Sequence, residues 1–310
     1  MTDARRVSVA IDAPQYADLI GPLTYTSESR LSPGTLVRAP LGRREVAGVV
    51  WPVDGQPEVR TELRAVGEAL TTLPPLALSW CRLVEFAAAY YQRGIGEVAL
   101  SVLPPELRKL GNAQIANRIA KLEKALAHRP QVTVTTAGLP TLSAAQACAL
   151  DALAALGDPK SPGGSQTVLL HGVTGSGKTE VYLRAAARAL DAGRQALVLV
   201  PEINLTPQLE SRFAERFAGR HIVSLHSGLT PAQRLRHWLA AHLGLADLVL
   251  GTRLAVFASM PRLGLIVVDE EHDPSYKQQE GARYSARDLA VYRGKLDGAT
   301  VLLGSATPSL

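Results

Sequence analysis

Gly172, Gly177, Lys178 and Thr179 are spaced as G-x-x-x-x-G-K-[ST] inside the run GVTGSGKTE, a pattern suited to holding a phosphate chain. Glycines there let the backbone curl so that N–H groups along Thr174, Gly175 and Ser176 face phosphate oxygens, with Glu180 closing the run. A helix beginning at this point would add its positive N-terminal end. Lys178 is then expected to neutralise the β- and γ-phosphates, and the Thr179 hydroxyl to hold Mg²⁺. The second chemical cluster is VVDEEHD, Val267–Asp273. Asp269 is placed to anchor Mg²⁺ through water, and Glu270 to polarise an attacking water. Alone, a carboxylate pair after a strand is an ordinary solvated loop. Joined to a phosphate loop, it reads as the other half of a nucleotide-hydrolysing site.

Such groups need strands to deliver them. TVLLHGV ahead of the glycine-rich run reads as a buried strand, VYLRAAARAL after it as a helix, and LIVV as the strand carrying Asp269. Ligands gather at the C-terminal ends of strands in open parallel sheets. From about Ser143 onward TVLLHG, QALVLVPE, HIVSLHSG, DLVLGTR, LIVVDEE and ATVLLGSATP alternate with helical stretches, the last near 285–294. The alternation predicts an α/β fold, a parallel sheet flanked by helices. Residues 5–66 differ: RRVSVAID, GTLVRAP, REVAGVVWPV and ELRAVGEAL predict a small β-rich domain with tight turns. Leu76, Trp80, Leu83, Val84, Ala87, Ala88 and Tyr91 follow helical spacing before Pro104-Pro105 breaks the chain. Residues 106–140 read as a helix and an irregular linker. The expected division is therefore 1–105, 106–140 and 141–310.

Composition limits the remaining possibilities. Apolar residues make up 46% and aromatics only 5%, so Ala, Leu and Val must supply most of the packing. No run of about twenty apolar residues and no charged-then-apolar leader occurs, which predicts a soluble, cytoplasmic protein without a membrane partner. Cys81 and Cys148 lack partners at metal spacing and are expected to act as small buried apolar groups. The net charge of +5 is compatible with a nucleic-acid partner.

Four further strand ends carry polar clusters: Pro201–Pro207, His226–Gly228, Gly251–Arg253 and Gly304–Pro308. The order phosphate loop, P-E-x-x-L-T, H-S-G, G-T-R, D-E-E-H, S-A-T resembles the first lobe of a superfamily 2 helicase. The wording GVTGSGKTEVYL, PEINLTPQ, LHSGL, GTR, DEEHDPSYKQQEGARYSARDLAVYR and GSATPSL resembles the PriA family of replication-restart helicases. A small-molecule P-loop kinase would need a lid and none of these loops. The resemblance implies a RecA-like ATP-binding lobe over 141–310 and a β-rich fork- and 3′-end-binding domain over 1–105. Residues 106–140 are too few for the family's winged helix and imply a linker or its remnant.

The resemblance also implies roles. Gln146 falls where the family senses the nucleotide base, and His272 where γ-phosphate state is relayed. Ser305, Ala306 and Thr307 fall where hydrolysis is coupled to DNA movement. Thr206, Gly251, Thr252 and Arg253 fall where the sugar-phosphate backbone is gripped, although an exposed arginine at a helix start explains Arg253 as well. Tyr276, Lys277, Arg283, Tyr284 and Arg287 pair aromatics with cations, a platform for unstacked bases; Ala282 stands where the family has tryptophan. In the first domain Leu41-Gly42 resembles a pocket-forming turn, Arg64 replaces a phosphate-contacting lysine, and Leu23-Thr24-Tyr25 stands for an aromatic–acid–Tyr triplet. Turn formation and packing explain Tyr25 and Gly42 equally well. Implied partners are branched and single-stranded DNA at forks, primosome proteins and single-stranded-DNA-binding protein, with a nucleoid-associated location. The family's zinc ligands, second lobe and arginine finger have no counterpart in these 310 residues, so ATP and Mg²⁺ are the expected cofactors. The competing reading is a fork-DNA adaptor with a silent ATP site.

Overall fold

The computed structural model describes residues 5–12, 21–52, 63–128, 139–156 and 167–308. They form two compact units, one mainly from residues before Ala125 and one mainly from Leu126 onward. The first begins with four strands: β1 Arg5–Ile11, β2 Leu23–Ser27, β3 Leu36–Leu41 and β4 Arg44–Val50. They pair antiparallel in the order β2-β1-β4-β3. Leu41 pairs with Arg44, so Gly42-Arg43 forms a two-residue hairpin turn, and Gly42 takes the positive φ of 59° that such turns require. Val9, Ile11, Tyr25, Val37, Ala39 and Val50 face inward and make the core.

A two-edged sheet exposes unpaired backbone at both ends. Here one segment covers both. Thr26 N–H donates to Arg64 O and Val66 N–H to Thr26 O on the β2 side. On the β3 side Arg38 N–H donates to Glu68 O and Leu70 N–H to Leu36 O. Within ELRAVGEAL the described residues from Leu63 on are therefore not a ladder strand, as the pattern suggests, but a strap over two edges. The short β2 carries too little alternation to stand out in the sequence. Arg38 is buried, and its guanidinium donates to the carbonyls of Arg108, Leu107 and Leu110.

Two helices follow, α1 Leu78–Tyr90 and α2 Ile95–Ser101. The expected α1 stripe is buried from Trp80 to Ala88, but Tyr91 ends the helix as its C-cap and stays half-buried. Cys81 is buried in α1, which pushes its thiol up to about 12. A helix α3, Asn112–Ala127, occupies the first part of the expected linker; residues 129–138 lie outside the described residues.

In chain order there follow α4 Ala144–Leu156, β5 Thr167–His171, α5 Lys178–Asp191, β6 Gln195–Leu199, α6 Pro207–Arg216, β7 Ile222–Leu225, α7 Pro231–His242, β8 Leu248–Gly251, β9 Leu263–Val268, α8 Ala286–Asp297 and β10 Thr300–Ser305, all in the second unit except α7, which belongs to the first as far as Leu239. All six strands are parallel, in the order β5-β10-β9-β6-β8-β7. The interior strands β6 and β8 are buried along their whole length, as strands covered on both faces must be. Thr206 and Ser285 cap α6 and α8 by accepting from Leu209 and Asp288 N–H. Cys148 departs from expectation: α4 leaves it exposed. Among the described residues no helix is long and apolar enough to cross a membrane.

Gly96 in α2 offers a test of packing against propensity. A Cβ there would overlap the Ile11 carbonyl, which cannot yield without moving β1. Gly96→Ala gains about 1 kcal/mol of helix propensity, yet overpacking costs up to about 3 kcal/mol. A net loss of about 2 kcal/mol in urea unfolding is expected from those two terms.

Candidate functional site

In-register parallel pairing sets the strand ends side by side: His171 opposite Ser305, Leu199 opposite both Gly251 and Val268, and Leu225 opposite Gly251. The loops that follow leave from one rim of the sheet. Between β5 and α5 the phosphate loop turns through Gly175 and Gly177, at φ 81° and 82°. Gly172 N–H donates to Ser305 O at 3.0 Å, tying the loop to β10. Lys178 opens α5 with its Nζ donating to Gly172 O at 2.8 Å and lying 3.7 Å from Glu270 Oε1. Gln146 forms a capping box with Ser143 at the start of α4, its Oε1 accepting from Ser143 N–H at 2.9 Å. Its Nε2 reaches the Ser176 and Gly177 carbonyls at 3.2 and 3.4 Å, so one side chain joins α4 to the phosphate loop.

Asp269 leaves β9 beside this loop. Its N–H donates to Leu199 O, and Tyr182 Oη donates to its Oδ1 at 2.9 Å. Burial holds the Asp269 carboxyl above the usual carboxylate range, while the Tyr182 hydrogen bond and Lys178 pull it down. Burial and the Asp269 charge push the Tyr182 hydroxyl far above the usual phenol range, so it remains a donor. Glu270 sits at φ +46°, a left-handed conformation costing roughly 1–2 kcal/mol for a residue with a Cβ. Two hydrogen bonds fix the peptide that follows it: Asp273 N–H donates to Glu270 O, and Glu271 N–H to Gly304 O. Glu271 is buried against Arg287 at 3.2 Å. His272 Nδ1 lies 2.8 Å from Ser305 Oγ and 3.8 Å from Glu270 Oε2. Ser305 Oγ also accepts from Thr307 N–H at 3.2 Å, so the carboxylate loop and Ser305–Thr307 form one hydrogen-bonded unit.

Farther along the rim, Arg253 Nε donates to Gln278 Oε1 at 2.6 Å and Nη1 to Ser275 O at 3.1 Å. Glu202 lies 3.8 Å from Arg253 and accepts from Ser227 Oγ, linking three successive loops. Lys277 and Arg283 are exposed. Other expected DNA contacts need correction. Tyr276 is 2% exposed, with its hydroxyl 2.6 Å from Asp269 O and 3.0 Å from Leu199 O; it braces the loop after β9 rather than presenting a ring. Tyr284 is buried edge-on against Phe257 at 5.1 Å. Thr252 is buried, and Gly251 is filled from both sides by Ala255 and Leu225. Thr206 Oγ1 accepts from Leu209 N–H at 3.3 Å in the α6 cap, which leaves its O–H free to donate. In the first unit Tyr25 is a core residue donating to Pro40 O, whereas exposed Arg64 donates to Gly42 O at 2.6 Å.

Residues 143–309 match the model of the DEAD/DEAH box helicases, more than half of the chain. The chain belongs to the DEAD/DEAH box helicase family. Residues 8–104 match the 3′DNA-binding domain model of PriA. The replication restart protein PriA of Haemophilus influenzae is 34% identical over 98% of this chain and 49% of its own length. That of Rickettsia prowazekii is 35% identical over 93% of this chain and 41% of its length. The Chlamydia pneumoniae protein reaches 54% over 46% of this chain and 19% of its length. The resemblance to PriA read in the sequence therefore stands, and the chain spans about half the length of the curated relatives it matches over most of its residues. The Haemophilus alignment runs over 366 positions, more than the 310 residues here, so that relative has residues without a counterpart. Among solved structures, RecG bound to a three-way DNA junction matches at 24% identity and a TM-score of 0.44, covering 74% of this chain and 27% of that one.

Within this helicase lobe, Glu180 corrects the sequence reading. It is buried and paired with Arg184 at 2.8 Å and Arg216 at 3.2 Å, which turns it from the phosphate loop toward α6. Sequence reasoning passed over Tyr182 and Gln278. Tyr182 had a usable signal, standing four residues after Lys178 on the same helix face; Gln278 had none. Glu180→Gln is expected to lower stability by about 2 kcal/mol in urea unfolding, since it leaves two arginines unpaired in a partly buried site. Affinity for a fluorescent ATP analogue should stay within about twofold; a tenfold loss would return Glu180 to the nucleotide.

Proposed function

We propose that this chain is the fork-recognising and ATP-binding part of a replication-restart helicase, acting as a DNA-dependent ATPase of the 3′-5′ type. In this reading residues 1–105 bind fork DNA and 3′ ends, 106–140 link, and 141–310 bind ATP. The observation that carries it is the single rim on which Lys178, Asp269, Glu270 and His272 meet, with Arg253 and Lys277 on the neighbouring loops. Lys178 and the loop N–H groups would neutralise the β- and γ-phosphates. Glu270, already in a strained backbone position, would orient the attacking water, and His272 would pass the state of the site to Ser305 and Thr307.

The residues fit a magnesium ion. Thr179 and Asp269 offer hard oxygen donors, and a buried carboxylate gains from a nearby divalent charge. Mg²⁺ is held by few protein oxygens together with waters and phosphates, so two donors suffice. When bound it would draw charge from the phosphates. DNA would be held through its backbone by Arg253, Lys277, Arg283 and, in the first unit, Arg64. Unwinding requires the family's second lobe. Primosome proteins and single-stranded-DNA-binding protein are the proposed protein partners, in the bacterial cytoplasm at the nucleoid.

ATP hydrolysis measured with and without single-stranded DNA tests this. Stimulated turnover, reduced about a hundredfold or more by Lys178→Ala, is expected. No turnover alongside intact fork binding would instead mark an adaptor. Log affinity for single strands should fall linearly with log salt, by about 0.7 per phosphate contacted. Arg283→Ala should lower that slope by about one such step; a change confined to particular sequences would contradict backbone binding.

A further inference from the structure

The carboxylate proposed to anchor magnesium is not held by its own loop alone. An aspartate's χ2 is a soft, broad torsion, so a working orientation has to be imposed by a partner. Tyr182 supplies one. It lies one helical turn after Lys178 on α5, so a single face of that helix sends the lysine toward the phosphates and the phenol toward Asp269. The ring is 2% exposed, and its hydroxyl donates to Asp269 Oδ1 at 2.9 Å. The space it occupies is kept open by another strand. A Cβ at Gly304 on β10 would overlap the Tyr182 hydroxyl, so any side chain at 304 would drive the phenol off the carboxylate. Gly304 O is also the acceptor for Glu271 N–H, which places this opening directly behind the hydrolytic loop.

We propose that Tyr182 is a positioning residue that pins Asp269 Oδ1 so that the carboxylate presents its other oxygen to the magnesium of a bound Mg·ATP, with Gly304 as the space that permits it. This rests on the nucleotide-binding reading above. Tyr182 touches neither phosphate nor metal; it acts through Asp269.

The test uses the full chain and Tyr182→Phe, which keeps the ring and removes one hydroxyl. Binding of a non-hydrolysable fluorescent ATP analogue is measured in EDTA, and Mn²⁺ binding to the protein–analogue complex is followed by electron paramagnetic resonance. Metal-free analogue affinity should stay within about twofold of the parent, while Mn²⁺ affinity falls about tenfold, the scale of one hydrogen bond to a charged acceptor. Gly304→Ala should weaken Mn²⁺ in the same direction, and the two substitutions combined should be less than additive. Unchanged Mn²⁺ affinity in Tyr182→Phe would overturn the inference while leaving the nucleotide site standing. Equal losses of metal-free and Mn²⁺-dependent binding would also overturn it, reducing Tyr182 to a packing group. A parent chain that binds no analogue would overturn the nucleotide-binding reading itself, and this inference with it.

Discussion

Parallel pairing of six strands in register is the constraint on which the rest of the helicase lobe depends. Each strand end is set against its neighbour's by main-chain hydrogen bonds, so the loops that follow share one rim whatever their sequences. β10 does most of this joining. Its last residues accept from the phosphate loop at Gly172 and from the carboxylate loop at Glu271, while Ser305 reaches His272. A shift of β10 along its axis would disturb all three contacts at once. This gives the coupling expected of Ser305–Thr307 a mechanical form: the strand end is shared between the loops.

The strained Glu270 backbone belongs to the same arrangement. A left-handed glutamate is costly in isolation, and it persists because Asp273 and Gly304 both bond the peptide that joins it to Glu271. Tyr276 completes the support from beneath, where its hydroxyl reaches the carbonyls of Leu199 and Asp269. Asp269 and Glu270 are therefore positioned by groups from α5, β6, β10 and the following residues as well as by their own turn.

The first unit solves a different problem. Four antiparallel strands leave two open edges, and residues 64–70 bond to both, so the sheet curls around Tyr25 and its neighbours. Arg38 is enclosed only because three turn carbonyls receive its guanidinium and Glu45 and Glu68 stand near enough to favour its charge. Arg64 shows how a strap residue can also reach the surface: its backbone pairs with β2 while its side chain holds the exposed Gly42 turn.

Much was legible in the chain itself. Glycine spacing points to a phosphate loop because glycine takes the positive φ found at Gly175 and Gly177 without steric cost, and apolar runs such as LVLV and LIVV point to buried parallel strands. Those are local properties of backbone and hydropathy. The destinations of side chains were not local. Glu180 turned to Arg184 and Arg216, Tyr276 and Tyr284 went inward, and Thr252 was covered, because each lies where another element happens to pack. Tyrosine beside lysine reads the same in a sequence whether its ring faces solvent or a carbonyl. Spacing along the chain sets which groups leave a strand at its end; only the packing of distant segments decides which of them stay in water.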